Sequence, residues 1–408
     1  MDEKKKKKKP KKWVRFRHRV ARNLLAFLLI PYIKWKYHVK VERYKAPKDQ
    51  PFLILMNHQT AYDQFFLGMA FNRPIYYVAS EDLFSKGWIS SVIRFLVEPI
   101  PIKKQTTDVR AIMNCLKVAR EGGSIGMAPE GNRTFSGKLE TINPSVAPLA
   151  RKLGMPIALL RIEGGYGIQP RWSDVVRKGK MRAYVGRVIQ PEEYAAMTDD
   201  QLFEAIREGL DVNEGCVCGE YHHKHLAEYM ERAVYVCPEC GLTTFESHLD
   251  TVTCKKCGLT VRYLPTKEFE GVNRPFPFRF MTEWYDYQND FINALDTADY
   301  CDAPMYEDVV RFSEVIPYKN KVLLEKQAQV KLYGDRIEVY CATGAQVFRF
   351  DETSAVTVLG RNKVNIYFDK RIFQLKGPKP MNGIKYVHIF YRHLNLKKGE
   401  SNAKFLGI

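Results

Sequence analysis

The first apolar positions of the chain recur at helical spacing. Trp13, Phe16, Val20, Leu24 and Phe27 fall on one stripe, with Arg15, Arg19 and Arg22 opposite and Arg17 at the boundary, where its stem can snorkel. Leu24 to Ile33 then runs apolar for ten residues, broken by Pro31. That is half of the ~20 residues a spanning helix needs. An interfacial helix is expected instead, with Trp13, Tyr32 and Trp35 at headgroup depth. From residue 52 the pattern changes to short buried runs alternating with amphipathic segments. Pro74 to Ser80, Ile100 to Ile102, Ile125 to Ala128, Pro156 to Ile162 and Met181 to Ile189 read as strands. Tyr62 to Phe71, Leu83 to Leu96, Asp108 to Arg120 and Asp199 to Leu210 read as helices. This alternation predicts an α/β sheet with helices. Trp88, Val92, Phe95 and Leu96 are expected in the core, with a membrane-facing rim as the alternative.

The last hundred residues alternate with a period of two. Val322 to Leu324, Gln329 to Tyr333, Arg336 to Ala342, Gln346 to Phe350, Ala355 to Leu359, Val364 to Phe368 and Arg371 to Leu375 predict seven strands. Gly334-Asp335, Gly344, Gly360-Arg361-Asn362 and Asp369 mark the turns between them. Ile384, Val387, Tyr391 and Leu394 then share one helical face. Seven strands and a capping helix resemble a pleckstrin-homology-like antiparallel β-barrel, a likeness of pattern that does not give a function.

A length of 408 residues predicts two or three domains, and 45% hydrophobic with 12% aromatic content places them among folded proteins. The net charge of +18 suggests nucleic acid until it is located. Residues 1 to 45 hold 17 Lys and Arg against 3 Asp and Glu, which leaves only +4 for the remainder. Lys4 to Lys9, with Lys11 and Lys12, is a like-charge block drawn to an anionic surface. It has no apolar core of a secretory signal, so an intracellular protein is expected.

Two polar blocks carry the chemistry. Asn57-His58-Gln59-Thr60-Ala61-Tyr62-Asp63 follows the apolar run Phe52 to Met56, and Pro129-Glu130-Gly131-Asn132-Arg133-Thr134 follows Ser124 to Ala128. Both therefore leave the ends of buried strands, where open α/β sheets build their sites. His58 has the residue chemistry of a general base, and Asp63 can fix its tautomer and stabilise the imidazolium. No serine or cysteine stands at a G-x-S-x-G elbow, so the attacking group is the substrate's own hydroxyl, in direct transfer. The Arg133 fork matches phosphate, and Gly131 lets backbone amides approach the same anion.

These blocks resemble the N-H-x-x-x-x-D and P-E-G-x-R-S blocks of the glycerolipid acyltransferase family, in the same order. The strand Met155-Pro156-Ile157-Ala158-Leu159-Leu160 resembles the family's third marker. Pro99-Ile100-Pro101-Ile102-Lys103-Lys104 resembles a fourth that usually ends in arginine; Lys104 supplies charge without a fork. The resemblance covers about residues 37 to 212. It implies acyl transfer from a coenzyme A or acyl-carrier-protein thioester to 1-acyl-sn-glycerol-3-phosphate, a lysophospholipid acceptor. It also implies His58 and Asp63 as the catalytic pair, with Asn57, Lys104, Glu130, Gly131, Arg133 and Thr134 binding substrate.

Cys237-Pro-Glu-Cys240 and Cys254-Lys-Lys-Cys257 have the knuckle spacing of a four-cysteine zinc ribbon, each followed by glycine. Four protein ligands leave no open position, so this zinc is expected to be structural; two disulfides are the alternative. Cys216 and Cys218, with His222, His223 and His225, read equally as part of a second site or as polar loop. The expected organisation is a basic membrane-interface arm (1–36), an acyltransferase domain (37–212), a zinc ribbon (213–265), a helical linker (266–305) and the barrel (306–408). The whole reads as a peripheral, monotopic enzyme on the cytoplasmic face of a membrane. A zinc-ribbon nucleic-acid-binding protein is the rival, but residues 214–265 are not especially basic, so no nucleic-acid partner is expected. A non-catalytic lipid-binding or tethering protein is the third class, and the intact His58, Asp63, Glu130 and Arg133 speak against it.

Overall fold

The structure, a computed structural model, describes residues 12–85, 87–102, 108–215, 219–316 and 320–400. Helix α1 (Phe16–Tyr37) runs through Pro31 without the expected break. Pro31 faces outward, where water can satisfy the carbonyl that its ring leaves unbonded. The apolar stripe divides in two. Trp13 is not at a surface: it is buried against the α/β core, and the Trp13 and Val14 amides each donate to Glu121 Oε2 at 2.8 Å. Phe16, Val20, Leu24 and Phe27 remain exposed, Phe16 by 79% and Phe27 by 78%. No helix among the described residues is long and apolar enough to cross a membrane.

The chain then builds β1 (Val39–Val41), β2 (Leu53–Met56), α2 (Asp63–Phe71), β3 (Ile75–Ser80), α3 (Trp88–Val97), β4 (Ile100–Ile102) and α4 (Val109–Arg120). It continues through β5 (Ser124–Met127), α5 (Val146–Leu153), β6 (Ile157–Glu163), α6 (Gly165–Ile168), β7 (Met181–Ile189), α7 (Pro191–Ala195) and α8 (Asp199–Leu210). The strands form one sheet in the order β1-β7-β6-β2-β5-β3-β4, parallel except where β6 meets β7. Alternate residues of β2 feed the two faces: Leu53 and Leu55 pack with α4, α5 and α8, while Ile54 and Met56 pack with α1 and α2. Helix α5 was not foreseen because Pro148 sits inside it, but a proline in the first turn removes no helical hydrogen bond. Helix α3 corrects the core expectation. Trp88, Val92 and Phe95 are exposed, and the Arg17 guanidinium lies 4.5 Å from the Phe95 ring centre, so α3 extends the bare apolar face of α1.

Beyond α8 come the short strands β8 (Val236–Cys237), β9 (Gly241–Leu242), β10 (Phe245–His248), β11 (Thr251–Cys254), β12 (Thr260–Tyr263) and β13 (Phe269–Gly271), then α9 (Met281–Ala294). A meander follows: β14 (Tyr306–Glu314), β15 (Val322–Leu332), β16 (Arg336–Cys341), β17 (Gly344–Arg349), β18 (Thr353–Leu359), β19 (Lys363–Phe368) and β20 (Arg371–Lys376). Its order is β17-β16-β15-β14-β20-β19-β18, all antiparallel. The end strands β17 and β18 do not pair, so this is a curled open sheet rather than a closed barrel. Helix α10 (Ile384–Lys397) covers it. Two of the expected strands, Val322 to Leu324 and Gln329 to Tyr333, are one strand, β15, with register shifts against β14. Strand β14 itself was missed, because Asp308 obscures its alternation. That carboxylate is satisfied from α10 by Tyr386 Oη at 2.6 Å and Lys385 Nζ at 2.7 Å. Residues of the cysteine segment, α9 and the curled sheet, among them Val236, Trp284, Val330 and Phe390, share one continuous core.

Candidate active site

Parallel pairing of β2 with β5, Leu53 opposite Ile125 and Leu55 opposite Met127, releases both polar blocks side by side from the same edge. His58 and Asp63 meet there. The His58 Nδ1 lies 2.8 Å from Asp63 Oδ2, with Asp63 fully buried and the His58 side chain 24% exposed. Asp63 opens α2, where a carboxylate suits the helix N-terminus, and it accepts from the Gln59 and Thr60 amides at 2.6 and 2.9 Å and from Thr60 Oγ1 at 2.6 Å. Those bonds fix its position, and Asp63 in turn orients the imidazole through Nδ1.

The second block packs directly on the first. Glu130 accepts the His58 amide at 2.7 Å and the Glu140 amide at 2.9 Å, and the Thr134 amide donates to the His58 carbonyl at 3.2 Å. Burial pushes the Glu130 carboxyl well above its ordinary range. Gly131 takes φ +73° in the turn that joins Ala128 to Arg133, a backbone region that favours glycine. Thr134 is buried, its hydroxyl 3.2 Å from Ser136 Oγ and accepting the Gly137 amide at 2.9 Å.

The residues expected to bind substrate divide. Arg133 keeps a buried Nη1 with no hydrogen-bond partner among the described residues. Burial first, then the charge of Arg361, lowers its pKa to about 10. Asn57 departs from its expected role, since both ends of its buried amide are held by Ile162, Nδ2 to the carbonyl and Oδ1 to the amide, each at 2.8 Å. It ties β2 to β6. Glu130 and Thr134 likewise spend their polar atoms on the two loops. Lys104 lies outside the described residues, as do Cys216 and Cys218.

His58, Glu130, Gly131 and Arg133 line one cavity of about 1390 Å³. Its other walls are apolar, with Leu29, Ile33, Phe65, Met69, Ile75 and Leu96 among them. Arg171 and the turn at Leu359 and Gly360 close one side, a contribution that sequence reasoning missed. Only the tertiary fold brings residue 360 to residue 133.

Away from this cavity, Cys237, Cys240, Cys254 and Cys257 bring their sulfurs within 4.8 Å of one another. The Cys237–Cys257 and Cys240–Cys254 sulfurs are 3.7 and 3.6 Å apart, too far for disulfides. They match the edges of about 3.8 Å that a tetrahedron with 2.3 Å zinc–sulfur bonds requires. As four thiols of suitable chemistry and spacing, they fit zinc.

The family profile described as Acyltransferase matches residues 38–163, a span that contains both blocks. The 1-acyl-sn-glycerol-3-phosphate acyltransferase of Bacillus subtilis (strain 168) is 24% identical over 167 residues, covering 40% of this chain and 80% of that protein. The chloroplastic 1-acyl-sn-glycerol-3-phosphate acyltransferase BAT2 of Brassica napus is 21% identical over 202 residues, 48% of this chain and 57% of its own length. The crystal structure of the 1-acyl-sn-glycerophosphate acyltransferase PlsC from Thermotoga maritima aligns over 47% of this chain and 93% of its own, at 19% identity and a TM-score of 0.36. With the family profile spanning both blocks and relatives so named, residues 38–163 form an acyltransferase domain.

Proposed function

We propose that the protein transfers the acyl group of a thioester to the free hydroxyl of 1-acyl-sn-glycerol-3-phosphate, yielding phosphatidic acid. His58 Nε2 takes the hydroxyl proton, the oxygen attacks the thioester carbonyl, and the carbon–sulfur bond breaks as the proton passes from the imidazolium to the leaving thiolate. Asp63 holds the tautomer and the imidazolium charge. Arg133 binds the acceptor phosphate, and the apolar walls between α1, α2 and α3 take acyl chain. The observation that carries this reading is the joint placement of the His58–Asp63 pair and the unpartnered Arg133 Nη1 around one largely apolar cavity.

The bare face of α1 and α3, with its flanking arginines, suits docking on an anionic membrane surface, and the polybasic start adds a salt-sensitive attraction. A lipid acceptor is reached from that side, on the cytoplasmic face. The four cysteines hold a structural zinc. The test is incubation of purified protein and liposomes with labelled acyl thioester, coenzyme A or carrier-protein bound, and a panel of acceptors. Phosphatidic acid should form, with transfer to monoacylglycerol far slower. Equal use of monoacylglycerol, or no transfer to a phosphate-bearing acceptor, would overturn the reading.

A further inference from the structure

The turn between β18 and β19 belongs to the C-terminal sheet, yet Leu359 and Gly360 line the same cavity as His58 and Arg133. One buried guanidinium binds the two regions together. Arg171 donates from Nε to the Gly360 carbonyl at 2.9 Å and from Nη2 to the Val358 carbonyl at 3.1 Å, while its Nη1 donates to the Arg133 carbonyl at 2.8 Å. Arg361 follows directly, with Nε on the Arg171 carbonyl at 3.3 Å and Nη1 at 3.2 Å from Asp174 Oδ1. That carboxylate is already engaged by Arg232 Nη1 at 2.7 Å. A single carboxylate, Asp174, serves two arginines, while Asp63 acts on Arg133 and Glu140 on Arg171, so the four guanidinium groups of Arg133, Arg171, Arg232 and Arg361 face three carboxyl groups, and burial raises the pKa of Glu140. Arg133 registers the excess: Arg361 follows burial as the cause that depresses its pKa. A buried cluster of this sign is completed by an anion.

We infer that Arg361 is a second cation for the phosphate monoester of the acceptor, so that the C-terminal sheet completes the acceptor site of the α/β domain. The inference takes the identity of the acceptor from the proposed function. It makes the C-terminal sheet a specificity element rather than a separate tether.

The test compares Arg361→Gln, Arg361→Lys and Asp174→Asn in the full chain. KM is measured separately for lysophosphatidic acid and for thioester. Binding of labelled lysophosphatidic acid without thioester is measured alongside, with inorganic phosphate as competitor. Arg361→Gln should weaken acceptor binding and raise acceptor KM about tenfold, leaving thioester KM and melting temperature unchanged, and Arg361→Lys should recover part of the loss. Asp174→Asn breaks the ion pair but keeps the cation, so it should bind the acceptor at least as tightly as wild type. Inorganic phosphate should displace the lipid from wild type and do so less well from Arg361→Gln, which separates the phosphate group from the rest of the lipid. A change under twofold in Arg361→Gln overturns the inference, as does an Asp174→Asn variant that reproduces the loss, for then the arginine acts through docking. If Arg133→Lys impairs acceptor use and Arg361→Gln does not, the inference fails and the proposed function stands. If Arg361→Gln weakens binding of a lysophosphatidic acid that the enzyme never acylates, the proposed function fails and the anion site stands.

Discussion

Arginines on the surface of the curled sheet and those at the end of the parallel sheet are held in different ways. In the C-terminal sheet Arg371 grips both oxygens of Glu314 at 2.8 and 2.7 Å, and Arg336 bonds Glu338 at 2.7 Å and Asp335 at 2.8 Å. At the end of the parallel sheet Arg171 gives its hydrogen bonds to backbone carbonyls, with its guanidinium 4.1 Å from the Phe135 ring centre, and Arg133 keeps an idle Nη1. Paired arginines on a surface hold little more than their own position. Position decides as well: Arg392 on α10 also keeps an Nη1 without a partner among the described residues, but it does not line the cavity, whereas Arg133 does.

The largest effect is expected from His58→Ala. Turnover should fall about 10³-fold or more while the melting temperature stays unchanged, because the imidazole supports chemistry rather than packing. Asp63→Asn should cost less rate but more stability, since the carboxylate also accepts the Gln59 and Thr60 amides. Parallel kinetics and thermal melts check both.

On the scaffold side, the cysteine cluster should give the largest stability effect. Elemental analysis is expected to find one zinc per chain. Chelation or Cys254→Ser should lower the melting temperature by about 10 °C, several kcal/mol, because the cluster's Cys237 and Cys254 belong to the core shared with α9 and the curled sheet. Activity should fall in step with unfolding, not ahead of it.

The exposed apolar face sharpens the division between site and surface. Phe16→Glu and Phe27→Glu should each weaken binding to anionic vesicles about tenfold without altering the melt, as both rings lie bare. Removing residues 1–12 should instead leave weaker binding that is largely insensitive to salt. Co-sedimentation at low and high salt reads both effects.

Arg133→Lys should raise acceptor KM about tenfold and spare thioester KM, since an ammonium keeps charge but loses the fork. The smallest effect is expected at Glu130. Its folded pKa is raised, so its ionisation opposes folding: stability is full below the unfolded carboxylate pKa and declines as pH rises toward the folded value. Glu130→Gln should flatten that decline at the cost of the Glu140 amide contact, and melts from pH 4 to 8 measure the change.

The alternation of buried runs made most of the parallel sheet legible, and β4, β7 and α8 fall on the expected residues. Periodicity failed where a local rule was overridden by context. Pro31 rides on an exposed helix face, Pro148 hides in a first turn, and Asp308 enters a strand because α10 satisfies it. Within the site, spacing sufficed to pair His58 with Asp63, five residues apart across one turn. Spacing could not tell that Asn57 would be consumed by Ile162, nor that residues 360 and 361 would meet Arg171, which holds the Arg133 carbonyl, because neither follows from a local pattern.

One labelling experiment tests whether His58 drives direct transfer. Purified protein is mixed with labelled acyl thioester, first alone and then with lysophosphatidic acid in vesicles, and label is followed in protein and lipid. Direct transfer leaves no acylated protein in either case, with label entering phosphatidic acid only when the acceptor is present and His58 intact. Label bound covalently to the protein before acceptor is added, and chased into lipid afterwards, would contradict it.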